Sequence, residues 1–305
     1  MDRMPAAHRR TAYAALAVGV VAIAWSAIFV RWTEMPGIAS AFYRAFFAAL
    51  ALWPALLLFG GRSRTGLVAL SRGAIRTAVI GGIFFAGDIG LYNIAVRHTS
   101  AGNATFLGNN APVFVGLISW AVTRKLPSRR FWIALAVALT GAVMIVSVDA
   151  RSISHASGAD ALSVIASVCF ALYLIVTERL RGTCDPGILL AVSTSASAAA
   201  LLVIAAVSHT SLRIPGLESF AALAGLALIC QIAGYFSLTY ALGHLPATST
   251  AVTMLAVAPL TALLALILFR ERMTPLQVAG GVLILVGVWM ANRPDSSHGV
   301  EPAME

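Results

Sequence analysis

The sequence predicts an all-α integral membrane protein in which ten transmembrane helices form two inverted five-helix repeats. Three observations lead there. Of the 305 residues, 59% are hydrophobic and 11% charged, with a mean hydropathy of +0.88, whereas ordinary soluble domains carry about 25% charge. So large a chain without a charged surface needs the bilayer as solvent for most of its side chains. The apolar residues also run continuously instead of alternating. Inside lipid only helices and closed barrels satisfy the backbone, and unbroken runs select helices. Finally, AVRHTSAGNAT from Ala95 and ALGHLPATSTA from Ala241 keep Ala, His and Ala at the same spacing, 146 residues apart.

The ten runs are Thr11 to Val30, Pro36 to Phe59, Thr77 to Val96, Ser100 to Val122, Phe131 to Val148, Asp160 to Leu180, Pro186 to Ser208, Ser219 to Leu242, Pro246 to Phe269 and Pro275 to Asn292. The first follows MDRMPAAHRR and so has the look of a signal peptide. It is about twenty residues long, enough to span a bilayer, and no small-residue cleavage site follows it, so it is expected to be retained. The breaks RWTEMP, TRKLPSRR and RERMTP hold the Pro and charge that end helices. Trp32 and Trp53, near span ends, suit an interfacial aromatic belt.

The net charge of +9 sits in short clusters between apolar runs, so it reads as a topology signal and predicts no nucleic-acid partner. With the N-terminus inside, that side receives Arg3, Arg9, Arg10, Arg62, Arg64, Arg72, Arg76, Arg124, Lys125, Arg129, Arg130, Arg179, Arg181 and Arg293. The other side receives Arg31, Arg97, Arg151, Arg213, Arg270 and Arg272. Both termini are therefore expected on the cytoplasmic side.

The repeat extends past the histidines. NAPVFVGLISWAVTRKLP around Pro112 parallels VAPLTALLALILFRERMTP around Pro259, shifted by one residue. The chain then divides into residues 1–148 and 149–305, five spans each, together one transmembrane domain. An odd number of spans makes the second copy enter the membrane from the opposite side. Inverted repeats of this kind typify secondary transporters, whose substrates bind near the midplane between the halves.

The stretches WSAIFVRW at Trp25 and PGIASAFYR at Pro36, and the A-P turns followed by RKLP and RERMTP, resemble the tandem EamA domains of the drug/metabolite transporter superfamily, from Ala14 to Asn292. The resemblance implies a ten-helix exporter of small metabolites in the inner membrane of a bacterial-type cell, with the general look of YddG-type amino-acid exporters. One departure is that the first-half loop has Lys125 where the second has Glu271.

The polar residues inside the spans are the candidate site. Asp88 lies about midway along the third span, where an ionised Asp costs about 2.5 to 3.5 kcal/mol on insertion scales, so it is expected to avoid lipid. It either faces a cavity, binding a substrate amine or carrying a proton, or hydrogen-bonds between helices. Phe84 and Tyr92 fall four residues to either side and share its helix face. The fourth span offers Asn109 and Asn110 beside Pro112, which removes a backbone bond and exposes a carbonyl near Gly108. These amides either bind an amino-acid carboxylate or tie helices together. In the second half Gln231 and Tyr235, four apart, lie at the level related to Asp88, and Trp25, Ser26 and Tyr173 complete the set at moderate depth. Arg44, within eight residues of its helix start, is expected to snorkel as an anchor.

Several classes are excluded. An intramembrane aspartyl protease needs a second deep carboxylate and Gly-x-Gly-Asp, where this chain has FAGD; neither H-E-x-x-H nor a phosphate-binding G-x-x-x-x-G-K-[ST] occurs. No filter motif suggests a channel. Cys169, Cys184 and Cys230 form neither a disulfide framework nor a metal cluster, so no metal or cofactor is expected. The expectation is a non-enzymatic carrier that exports amino acids with apolar or aromatic side chains by alternating access, with protons as a candidate coupling ion. Nucleosides, purines and xenobiotics are the alternative cargo.

Overall fold

The computed structural model describes residues 6–59, 71–95, 107–108, 110–146, 158–270 and 273–293. Its described residues build ten helices. They are α1 (Ala6–Ala24 and Ser26–Trp32, offset at Trp25), α2 (Gly37–Phe59), α3 (Arg72–Ala95), α4 (Ala111–Thr123) and α5 (Arg129–Val146) in the first half. The second half has α6 (Gly158–Arg181), α7 (Pro186–Val207), α8 (Leu217–Gly225, a π-helical stretch Leu226–Gly234, and Tyr235–Leu242), α9 (Ala247–Met254 and Val257–Phe269) and α10 (Pro275–Asn292). Eight are long and apolar enough to cross a membrane. Of the expected Ser100 to Val122 span, residues 100–106 and 109 lie outside the described residues; residues 107–108 are helical and the helix Ala111–Thr123 follows with Pro112 in its first turn.

Local chemistry explains where the helices begin. Asp185 caps α7, its carboxylate accepting from the backbone N–H of Gly187 at 2.8 Å, with Pro186 pre-set for the first helical position. Thr274 and Gln277 form a capping box on α10.

The two halves superpose in their contacts as well as their order. The α3–α6 pair matches α8–α1, α3–α7 matches α8–α2, α4–α6 matches α9–α1, and α2–α3 matches α7–α8. The α2–α7, α4–α9 and α5–α10 pairs are their own mates, as helices astride a two-fold axis must be. At the α5–α10 crossing the match reaches single atoms. A Cβ added to Gly141 would lie 2.8 Å from the amide nitrogen of Ile284, and one added to Gly287 would lie 2.8 Å from that of Ala138. Gly141 and Gly287 are 146 residues apart, and so are Ala138 and Ile284. Small residues let these backbones touch, the usual device for packing helices in lipid. Arg124 and Arg270, again 146 apart, end α4 and α9 in the same left-handed conformation, at φ 56° and 55°.

Candidate functional site

Helices α4 and α9 are both interrupted, at the same point of their repeats. In α4 the break precedes Asn110 and Pro112. In α9 it falls at Leu255 and Ala256, ahead of Pro259. Proline in a first turn needs no N–H, but the turn before it loses hydrogen bonds and must find others. On α4 the carbonyls of Leu107 and Gly108 are both taken by the Ser167 hydroxyl of α6, which donates to Gly108 at 2.8 Å. The carbonyl expected to stand open at Gly108 is therefore occupied.

Between the two breaks lies a cavity. Its larger part, about 470 Å³, is bounded by Ser26, Ser40, Arg44, Asp88, Tyr92 and Thr261 among others, and reaches Arg31 and Gly37 at the α1–α2 connection. A smaller part, about 200 Å³, shares Ile23, Asp88, Tyr92 and Val257 with it, and continues between Gly108, Ala111 and Pro112 of the α4 break and Met254 and Leu255 of the α9 break, against Phe170 and Tyr235. Broken helices that line a midplane cavity are what a carrier needs, since irregular backbone at membrane depth is tolerated only there.

At the opposite end, where α1 begins, hydrogen bonds tie the helices together beside a further cavity of about 390 Å³ lined by Tyr13, Phe131, Ser249 and Arg293 among others. The Tyr13 hydroxyl donates to the Asn292 carbonyl at 3.4 Å, the Asn292 amide donates to the Thr253 hydroxyl at 2.8 Å, and the Glu178 carboxylate accepts from the Ala247 backbone N–H at 3.0 Å. These bonds link α1, α6, α9 and α10.

The sequence candidates divide clearly. Asp88, Tyr92 and Tyr235 meet in the cavity. The Tyr92 ring lies on Gly108, where an added Cβ would approach it to 3.0 Å, so a glycine is needed to let the ring in. Phe84 shares a face with Asp88 but packs against the core and borders neither part of the cavity, and its neighbour Phe85, 2% exposed, is buried in that core. Phe85 stands 4.8 Å from the Tyr235 ring and 5.0 Å from that of Tyr173, centroid to centroid. Tyr173, buried behind this pair, supports the wall without lining the cavity. Trp25 faces a separate shallow groove with Ala17, Val21 and Ile229 on the outside of α1 and α8. Asn110 stands at the start of α4, its carbonyl accepting from Val113, and does not border the cavity. Asn109 and Glu271 lie outside the described residues. Trp53, expected in an interfacial belt, ties α2 to α7 by donating its indole N–H to Ser195 at 2.9 Å.

Gln231 and Arg44 differ most from expectation. Arg44 is 7% exposed and does not snorkel. Eight residues at 1.5 Å per residue put it about 12 Å inside the helix start, beyond the reach of its own stem. Its Nε donates to the Gln231 side-chain oxygen at 2.8 Å and its Nη1 to Ser26 at 3.1 Å, while the guanidinium sits 5.3 Å from the centroid of the Tyr235 ring. Gln231 in turn donates to Thr194 at 3.3 Å. It therefore holds a cation in place and is not free to meet a ligand. The π-helical stretch around Gln231 turns its side chain out of strict helical register toward α2 and α7, a common use of such stretches at functional sites. Leaving a buried donor without a partner costs on the order of 1–3 kcal/mol, and more when it is charged, yet Arg44 Nη2 has none. Among the described residues no three metal-type ligands converge.

The model of the EamA-like transporter family matches residues 10–147 and 157–293. The uncharacterized transporter YwfM of Bacillus subtilis (strain 168) is 28% identical over 207 residues, covering 65% of this chain and 67% of that protein. An uncharacterized transporter of Archaeoglobus fulgidus is 26% identical over 200 residues, covering 65% and 68%. One solved crystal structure shares the fold over 92% of this chain and 96% of its own, with a TM-score of 0.78 at 17% identity.

Proposed function

Because the chain belongs to the EamA-like transporter family, we propose that it is a secondary exporter of amino acids with apolar or aromatic side chains. The observation that carries the reading is Asp88, among the described residues the one carboxylate bordering the cavity between the two interrupted helices. A carboxylate on the cavity wall can take a cationic group such as an ammonium, and Tyr92, Tyr235, Phe170 and Met254 offer an apolar bed for a side chain. The cavity has room for one small metabolite and gives it few contacts, so affinity is weak, as release by an exporter requires.

On this reading the cycle is alternating access without ATP. The bonds among Tyr13, Asn292, Thr253, Glu178 and Ala247 tie the helices together at the cytoplasmic end in the state described, while the cavity reaches toward the opposite side. Both termini are assigned to the cytoplasm by the distribution of Arg and Lys, in a bacterial-type inner membrane. Single cysteines at Ala27 and Ser249, in a background lacking the native thiols, are expected to change accessibility in opposite directions when substrate is added. Parallel changes would exclude rocking of the halves.

The deciding measurement is efflux from liposomes loaded with a mixture of amino acids and nucleosides. Saturable loss of leucine or phenylalanine is expected. Efflux of nucleosides with no efflux of any amino acid would replace this reading with that of a nucleoside exporter of the same fold.

A further inference from the structure

Arg44 poses a specific problem. Its guanidinium lies within the bilayer part of the bundle, is held by Gln231 and Ser26 on two other helices, and keeps Nη2 without any hydrogen-bond partner. The residue borders the larger cavity, as Asp88 does, yet the two do not form a direct ion pair. A buried cation and a buried anion at the edge of one space would be expected to collapse together unless something else occupies each of them. Here the cation is restrained from doing so by its bonds to α1 and α8.

We infer that Arg44 is the carboxylate-binding residue of the cavity: Nη2, partnerless but closed off from the cavity in the state described, donates to the carboxylate of the carried molecule once the wall around it gives, and Asp88 takes its ammonium. This deepens, and rests on, the reading of the cavity as an amino-acid site. The chemistry favours a zwitterion over other anions. The guanidinium fork matches a planar carboxylate, and its charge persists at any physiological pH. A dianion such as phosphate would have to sit beside the Asp88 carboxylate, whereas an amino acid offers one opposite charge to each of Arg44 and Asp88. The Gln231–Thr194 bond and the Tyr235 ring fix the orientation of the fork before substrate arrives, so little ordering remains at binding. Arg44 thereby takes the carboxylate role that the sequence suggested for the amides of Asn109 and Asn110. Gln231 is the support for the residue that binds.

The test compares three probes that share a phenyl group: phenylalanine, 2-phenylethylamine, which lacks the carboxylate, and 3-phenylpropanoate, which lacks the amine. Binding is measured on purified full-length protein in detergent, by thermal protection and calorimetry. The parent protein is expected to bind phenylalanine at least tenfold more tightly than 2-phenylethylamine. Arg44→Gln is expected to lose at least tenfold for phenylalanine while staying within threefold for 2-phenylethylamine, and Arg44→Lys, which keeps the charge without the fork, to fall between. Equal binding of phenylalanine and the amine by the parent, or an Arg44→Gln protein that discriminates as the parent does, overturns the inference. If Arg44→Gln fails to fold, the parent comparison and Arg44→Lys decide. If no amino acid binds at all, the amino-acid reading has failed. The carboxylate assignment is then settled by 3-phenylpropanoate and benzoate: protection of the parent that Arg44→Lys weakens upholds it, and no protection rejects it.

Discussion

The two five-helix halves share a backbone and differ in chemistry. Pro36-Gly37 and Pro186-Gly187 open α2 and α7, and eight residues after each proline stand Arg44 and Thr194. Both reach Gln231, one donating to its oxygen and the other accepting from its amide. The same position thus bears a cation in one copy and a neutral hydroxyl in the other. The level of Asp88 on α3 corresponds to Gly234 on α8, 146 residues later, where no side chain exists and α1 packs close instead, with Ile23 within 2.8 Å of where a Cβ would be. Duplication therefore supplied the frame twice and the charges once. A charge inside a membrane is expensive wherever it is put, so among the described residues one deep cation, Arg44, and one carboxylate, Asp88, with Arg31 at the α1–α2 connection, serve a polar cargo at lower cost than a symmetric set.

That contrast can be attacked where it is strongest. Asp88→Asn keeps volume and hydrogen-bonding capacity but removes the charge, and should cut transport in liposomes at least a hundredfold, or about 2.7 kcal/mol, with little change in unfolding temperature. Parent-like transport would return Asp88 to the scaffold and erase the chemical difference between the halves.

The shared frame makes a second, smaller demand. Gly141→Ala and Gly287→Ala press on matched backbone atoms, at 2.8 Å each, and should destabilise the protein equally, by about 1–3 kcal/mol apiece. Thermal unfolding in detergent that finds one variant destabilised by more than about 1 kcal/mol beyond the other would show that the α5–α10 crossing is not a symmetry element in energy.

Thr194→Val probes the neutral partner of Arg44. It removes one hydrogen bond to Gln231 and should cost about 0.5–1.5 kcal/mol of stability, with transport within about threefold of the parent. A loss as deep as that of Asp88→Asn would mean that both halves contribute equally to the site and that the asymmetry lies only in charge.

Read as a string, PGIASAFYR places an arginine in an apolar helix and says nothing of what it meets. Its place eight residues from the helix start suggests snorkelling, and the structure overturns that, because about 12 Å of depth at 1.5 Å per residue is more than its stem can cover. Its partners could not be read, because Gln231 follows it by 187 residues and reaches it only after α8 has folded alongside α2. Likewise Phe84 and Phe85 are indistinguishable by composition. Helical spacing from Asp88 selects Phe84, whereas packing against Tyr173 and Tyr235 selects Phe85. Ser167 gives no signal at all in an apolar run, yet it satisfies the α4 break.

What the sequence determined by itself is whatever depends on solvent and chain order. Lipid forces apolar runs into helices, Pro and charge end them, and a duplication of five spans must invert, so ten helices, a two-fold frame and the break at Pro112 in the fourth helix were legible, while the break in the ninth was not. The tertiary structure alone decided which side chains face the cavity between the halves. Inside a bilayer every helix face is apolar, so the contrast between buried and exposed residues that marks a core in water vanishes. The cavity face is then selected by close contacts among helices far apart in the chain.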